Sequence, residues 1–137
     1  MAKLGISHAF AKYGAHLRNV QWSVSAWAPD GALVVSMWSH RYRKGPSNSA
    51  EYFDTLSRWR GAGNNELREN LADAYRNKKS IRLVLAQTND TAYIESGRDA
   101  GKVPKDYSVR DDLIGEVVAF DGDNYVIRFQ AVKGKTL

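Results

Sequence analysis

The run NVQWSVSAWAPDGALVVSMWSH, residues 19 to 40, sets the reading of the chain. Val20, Trp22, Val24 and Ala26 alternate with polar residues, the period of a half-buried strand. Ala28-Pro29-Asp30-Gly31 follows, and then an apolar stretch from Leu33 to Trp38. Proline presets the second residue of a turn, and glycine supplies the left-handed residue that closes it. The pattern predicts a β-hairpin with a three-residue loop. In that register Trp22 faces Trp38. A two-residue Asp-Gly turn would slip the pairing by one and set Trp38 opposite Ser23.

Before the hairpin, Ile6, Phe10, Tyr13 and Leu17 recur at helical spacing and predict a helix over 6–17, weakened by Gly14. After it, RYRKGPSNSA, residues 41 to 50, reads as a loop. Asn48 with Glu51 three residues on resembles a capping box. It predicts a helix to about Arg60, with Tyr52, Phe53, Leu56 and Trp59 inward and Gly61 and Gly63 as its stop. A further helix starts near Asn65, carries Leu67, Leu71, Ala74 and Tyr75, and ends in Arg76, Lys78 and Lys79. Those cations suit the negative end of a helix. IRLVLAQ, residues 81 to 87, is nearly continuous in apolar residues and predicts a central strand. Residues 88 to 112 read as a long polar connection. LIGEVVAF and YVIRFQA around Asp121-Gly122-Asp123-Asn124 predict a second hairpin. Val132 to Leu137 read as a fraying tail.

The sum is one α+β domain spanning 1–137. It has about five mostly antiparallel strands, two hairpins and a central strand, in a curved or partly closed sheet covered by three helices.

The chain has 137 residues, no cysteine and a formal net charge of +5. Disulfides, thiolate metal sites and a cysteine nucleophile are excluded, and a cytoplasmic, reducing setting is expected. No signal peptide and no apolar run of membrane-spanning length is legible. Residues 1 to 60 hold 8 cationic and 3 acidic side chains, whereas residues 61 to 137 hold 12 of each. The whole excess lies in the N-terminal part, as expected of a footprint for phosphates.

No phosphate loop, dinucleotide fingerprint, zinc-protease helix or serine-hydrolase elbow is present. His40 has no acidic partner nearby in sequence. A metal-dependent nuclease would draw on Asp106, Asp111, Asp112, Glu116 and Lys105. The pattern points to binding rather than catalysis, and to no cofactor. The candidate nucleic-acid-binding residues are Trp38, His40, Arg41, Tyr42, Arg43, Lys44, Arg58 and Arg60, with Lys102 and Lys105 from the long connection. Arginine forks take phosphates in bidentate fashion, and aromatic rings stack on unpaired or flipped bases. The same anchors would also serve a phage-type inhibitor or adaptor that docks a host protein.

The stretch LRNVQWSVSAWAPDGALVVSMWSH, residues 17 to 40, together with SRWRGAGNNELRENLADAYRNKKSIRLVLAQ resembles small modules of bacterial restriction-associated and phage proteins. That resemblance implies a reader of DNA or of its modified bases, with DNA favoured over RNA, and assigns no residue roles.

Overall fold

The computed structural model describes residues 5–98, 100 and 103–132. Elements follow in chain order: α1 (Ile6–Ala11), β1 (Ser25–Trp27), β2 (Leu33–Trp38), β3 (Tyr42–Lys44) and β4 (Ala50–Thr55). A 3-10 turn (Leu56–Arg58) leads to α2 (Ala62–Asn77), β5 (Ile81–Gln87), α3 (Thr91–Glu95), β6 (Asp106–Val109), β7 (Leu113–Phe120) and β8 (Asn124–Ala131).

One open, mixed sheet of 8 strands runs in the order β1-β2-β5-β7-β8-β4-β3, and β6 pairs with β5. The α+β class stands. The expected strand count of about five does not, nor does a partly closed sheet, whereas the pairing is mostly antiparallel as expected, with β2 and β5 the one parallel pair among the described residues. The strands β2 and β5 are parallel, with Leu33 opposite Ile81 and Trp38 opposite Ala86. Parallel neighbours need a crossover, and here it contains β3, β4 and α2.

These two strands are covered on both faces, which explains their nearly continuous apolar sequence. Leu33, Val35, Met37, Ile81, Leu83 and Leu85 pack with Leu67, Leu71 and Ala74 of α2. On the other face, Val34 and Val84 pack with Ala9, Phe10 and Ala15 from α1 and the turn after it. In β7 and β8, buried and exposed positions mostly alternate. Tyr125, Ile127 and Phe129 face the α2 core, while Val126 and Arg128 face outward and are half-buried. One face of the β3-β4-β8-β7 half is therefore wet.

The first hairpin has the expected three-residue loop: the Ala28 N–H donates to the Ala32 carbonyl at 2.8 Å, and Gly31 takes φ +91°. Its pairing sets Trp27 opposite Leu33 and Ser25 opposite Val35. Strand β1 begins only at Ser25, so Trp22 lies in the preceding turn and the Trp22–Trp38 pair does not form. The second hairpin forms as expected, with a bulge between Val117 and Ala119.

The helix expected from Asn48 to Arg60 is absent. Ser47 and Asn48 have positive φ, and residues 45–49 turn a hairpin that sets Tyr42 opposite Tyr52 and Arg43 opposite Glu51. The long connection holds α3 and β6. Of the expected tail, Val132 donates its N–H to the Asp112 carbonyl at 2.8 Å, and 133–137 lie outside the described residues. Among the described residues no helix is long and apolar enough to cross a membrane.

Candidate functional site

The basic stretch that leaves β2 divides into two groups once the fold is in place. One group turns inward onto carboxylates. The other stands on the wet sheet face.

Asp54 lies on the core face of β4, 6% exposed. Arg58 reaches it from the 3-10 turn, with Nε to Oδ1 at 2.9 Å and Nη2 to Oδ2 at 2.6 Å. Arg58 also donates Nη1 to the Ile94 carbonyl of α3 at 2.9 Å. A second guanidinium, Arg41, lies 3.5 Å from Asp54 and forks onto Glu95 of α3, donating Nε at 2.9 Å and Nη2 to the other oxygen. His40 Nε2 is 2.7 Å from the same Glu95. The Arg41 guanidinium, desolvated surroundings notwithstanding, and then His40 hold the Glu95 carboxyl down at about 2. Thus Arg41, Arg58 and His40 tie the β2–β3 corner and the 3-10 turn to α3. Arg41 and Arg58 spend their charge on carboxylates of the protein itself, Asp54 buried and Glu95 at the surface.

Glu51 is the hub of the second group. Its neighbours in register are Arg43 on β3 and Arg128 on β8, and Arg128 in turn pairs with Glu116 on β7. Side chains opposite one another on one sheet face sit close enough to interact. Glu51 is 5% exposed and accepts from Arg43 Nε at 2.7 Å and from Arg128 Nε at 2.8 Å. Arg43 first and then Arg128 hold its carboxyl below the usual range. Yet the Arg43 side chain is 55% exposed and that of Arg128 is 35% exposed. Among the described residues no acceptor answers the terminal nitrogens of Arg43. The buried carboxylate holds Arg43 by its Nε and Arg128 by its Nε and Nη2, and leaves the remaining guanidinium edges to solvent. Phe53 lies beneath, with the Arg43 and Arg41 guanidinium carbons 5.4 and 5.8 Å from its ring centre.

The remaining expected residues fall as follows. Tyr42 is 48% exposed on the edge strand, and its ring packs 5.4 Å from that of Tyr52. Lys44 and Arg60 are exposed and form no ion pair among the described residues. Trp38 is half-buried with its ring 6.2 Å from the His40 imidazole. Lys105 bends back to the Ala100 carbonyl at 2.8 Å, and Lys102 lies outside the described residues. Arg43 therefore shares the wet face with Arg128, which lies two strands in from the edge, whereas Tyr42 and Lys44 alternate onto the opposite face of the edge strand beside Tyr52 and Ala50, and Arg58 belongs to the internal network.

Sequence reasoning missed Glu51 as the partner of Arg43 and Arg128 as the second arginine on that carboxylate. Arg128 was visible as the outward position in the alternation of YVIRFQA. Among the described residues, no three of His, Asp and Glu stand together as a metal-ligand set. Asp112 is held by Arg110 at 2.8 Å, and Asp111 gives its carbonyl to Arg82.

Comparison of the chain with family models, with curated proteins and with solved structures found no match.

Proposed function

We propose that this chain is a nucleic-acid-binding module that meets its ligand on the wet face and edge of β3-β4-β8. The supporting observation is the buried Glu51 with Arg43 and Arg128 fixed upon it. Guanidinium groups held at their roots by a carboxylate are preorganised, so less side-chain entropy is lost when their outer edges take a phosphate. Lys44 adds an exposed charge and Tyr42 an exposed ring on the other face of the same edge strand, within reach of a ligand that wraps the edge. Arginine planes and aromatic rings stack on splayed bases, which fits a reader of DNA or of a modified, flipped base. The resemblance to restriction-associated and phage modules agrees with that ligand and with a cytoplasmic setting.

Fluorescence anisotropy with a labelled duplex and its matching single strand tests the reading. Micromolar or tighter binding that weakens steeply between low and moderate salt is expected. No binding to either form at low salt overturns it.

A further inference from the structure

A second cationic group lies at the amino ends of the parallel pair β2 and β5. Residues Asp30 to Ala32 of the first hairpin, Asn77 to Ser80 after α2, Arg82 of β5 and Ile114 of β7 line a recess of about 360 Å³. Lys78, Lys79 and Arg82 form no ion pair among the described residues. The one carboxylate present, Asp30, spends Oδ1 on the Ala32 N–H at 3.0 Å. Lys79 holds its ammonium 5.0 Å from the Trp27 ring centre. Arg82 lies 5.0 Å over the Tyr13 ring and donates Nη2 to the Asp111 carbonyl at 2.9 Å. Its Nε is buried without an acceptor.

We propose that this recess binds a phosphate group. Lysines at the end of α2 are explained locally by the helix dipole. Arg82 is not: it stands on a strand, where that dipole gives it nothing, and it is fixed by Tyr13. A fixed guanidinium, an exposed ammonium from Lys78 and the Ser80 hydroxyl make a donor set of the kind tetrahedral oxyanions use. Ile114 borders the recess, and its face of β7 continues to Glu116, opposite Arg128. The phosphate therefore has two possible sources: a nucleic-acid backbone crossing the wet face, or a free phosphorylated small molecule. The site itself does not depend on the nucleic-acid reading.

The test is a proton–nitrogen NMR titration with inorganic phosphate at constant ionic strength. Saturable shifts at Gly31, Ala32, Ser80 and Arg82 are expected. Lys78→Gln and Arg82→Gln should each raise the dissociation constant at least five-fold. Lys78 is exposed, so its variant stays folded, and the spectrum itself reports folding. Shifts that never saturate and spread over all surface cations, or an unchanged constant in both variants, overturn the proposal. With an oligonucleotide, weakening by the same substitutions identifies the backbone as source. Weakening for inorganic phosphate alone identifies a small molecule. If phosphate binds but no oligonucleotide does, the recess stands and the nucleic-acid reading falls.

Discussion

Replacing Arg58 by Met should unfold a large part of the margin by which this protein is stable. The Asp54 carboxylate is 6% exposed, and Arg58 supplies two of its hydrogen bonds, at 2.9 and 2.6 Å. Without Arg58, Asp54 keeps only its own neighbour's N–H, from Thr55 at 2.7 Å, and the more distant Arg41. Removing one partner of a buried pair costs about 3–5 kcal/mol. Arg41 remains within reach and offsets part of this, so about 3 kcal/mol is expected. Domains of this size have about 5–15 kcal/mol in all. The midpoint of thermal unfolding should fall by roughly 8–12 °C. The double replacement Asp54→Leu with Arg58→Met removes both charges and should recover most of the loss. Urea denaturation of the three proteins gives the numbers. A loss under about 1 kcal/mol for Arg58→Met would refute the internal role. So would a double variant no better than the single one.

Three further outcomes follow from the same contacts. Glu95 has its carboxyl held down at about 2, chiefly by Arg41, so its contribution is present above the unfolded value near 4.5 and is lost as pH falls towards 2. Glu95→Gln should flatten the pH dependence of denaturation between about pH 4.5 and 2, and an unchanged profile would remove Glu95 from the network. A methyl at Gly115 would meet the Phe129 ring at 2.5 Å and the Arg128 carbonyl at 2.8 Å, so Gly115→Ala should cost about 1–3 kcal/mol in chemical denaturation. Asn64 is buried and donates Nδ2 to the Leu56 carbonyl at 2.7 Å. Asn64→Ala leaves that carbonyl only the long hydrogen bond from the Trp59 N–H at 3.4 Å and should cost about 1–2 kcal/mol, measured the same way.

The parts of the fold legible in the sequence are those whose polar residues keep to one face. Strand β5 and the β7–β8 hairpin show their periods plainly, and the Pro-Asp-Gly loop specifies its own length. The β3–β4 hairpin hides because its buried positions include charges. Asp54 sits on the core face, where strand periodicity expects an apolar side chain, and Glu51 is buried on the opposite face under two arginines. With those two counted as polar, Tyr52, Phe53, Leu56 and Trp59 fall into helical spacing. Asn48 and Glu51 look like a cap, whereas Glu51 is in fact the partner of Arg43 and Arg128. The candidate site was half legible for the same reason. Sequence shows that Arg41, Arg43, Lys44 and Arg58 cluster. It does not show that Glu95 and Asp54 take Arg41 and Arg58, because Glu95 is 54 residues from Arg41 along the chain. Charge type is local information, and charge pairing is a property of the folded topology.

The division of the arginines into an internal and a presented group is tested most directly by the salt dependence of nucleic-acid binding in one pair of variants. Each lost phosphate contact flattens the slope of log affinity against log salt by about 0.9 on duplex and about 0.7 on single strand. Arg43→Ala with Arg128→Ala should lower the slope by about two such contacts, and because it strips the buried Glu51 of both partners it too is measured below its unfolding temperature. Arg58→Met, measured below its unfolding temperature, should leave the slope unchanged. A wild-type slope in the Arg43 and Arg128 double variant, or a slope that follows Arg58 instead, would contradict the division.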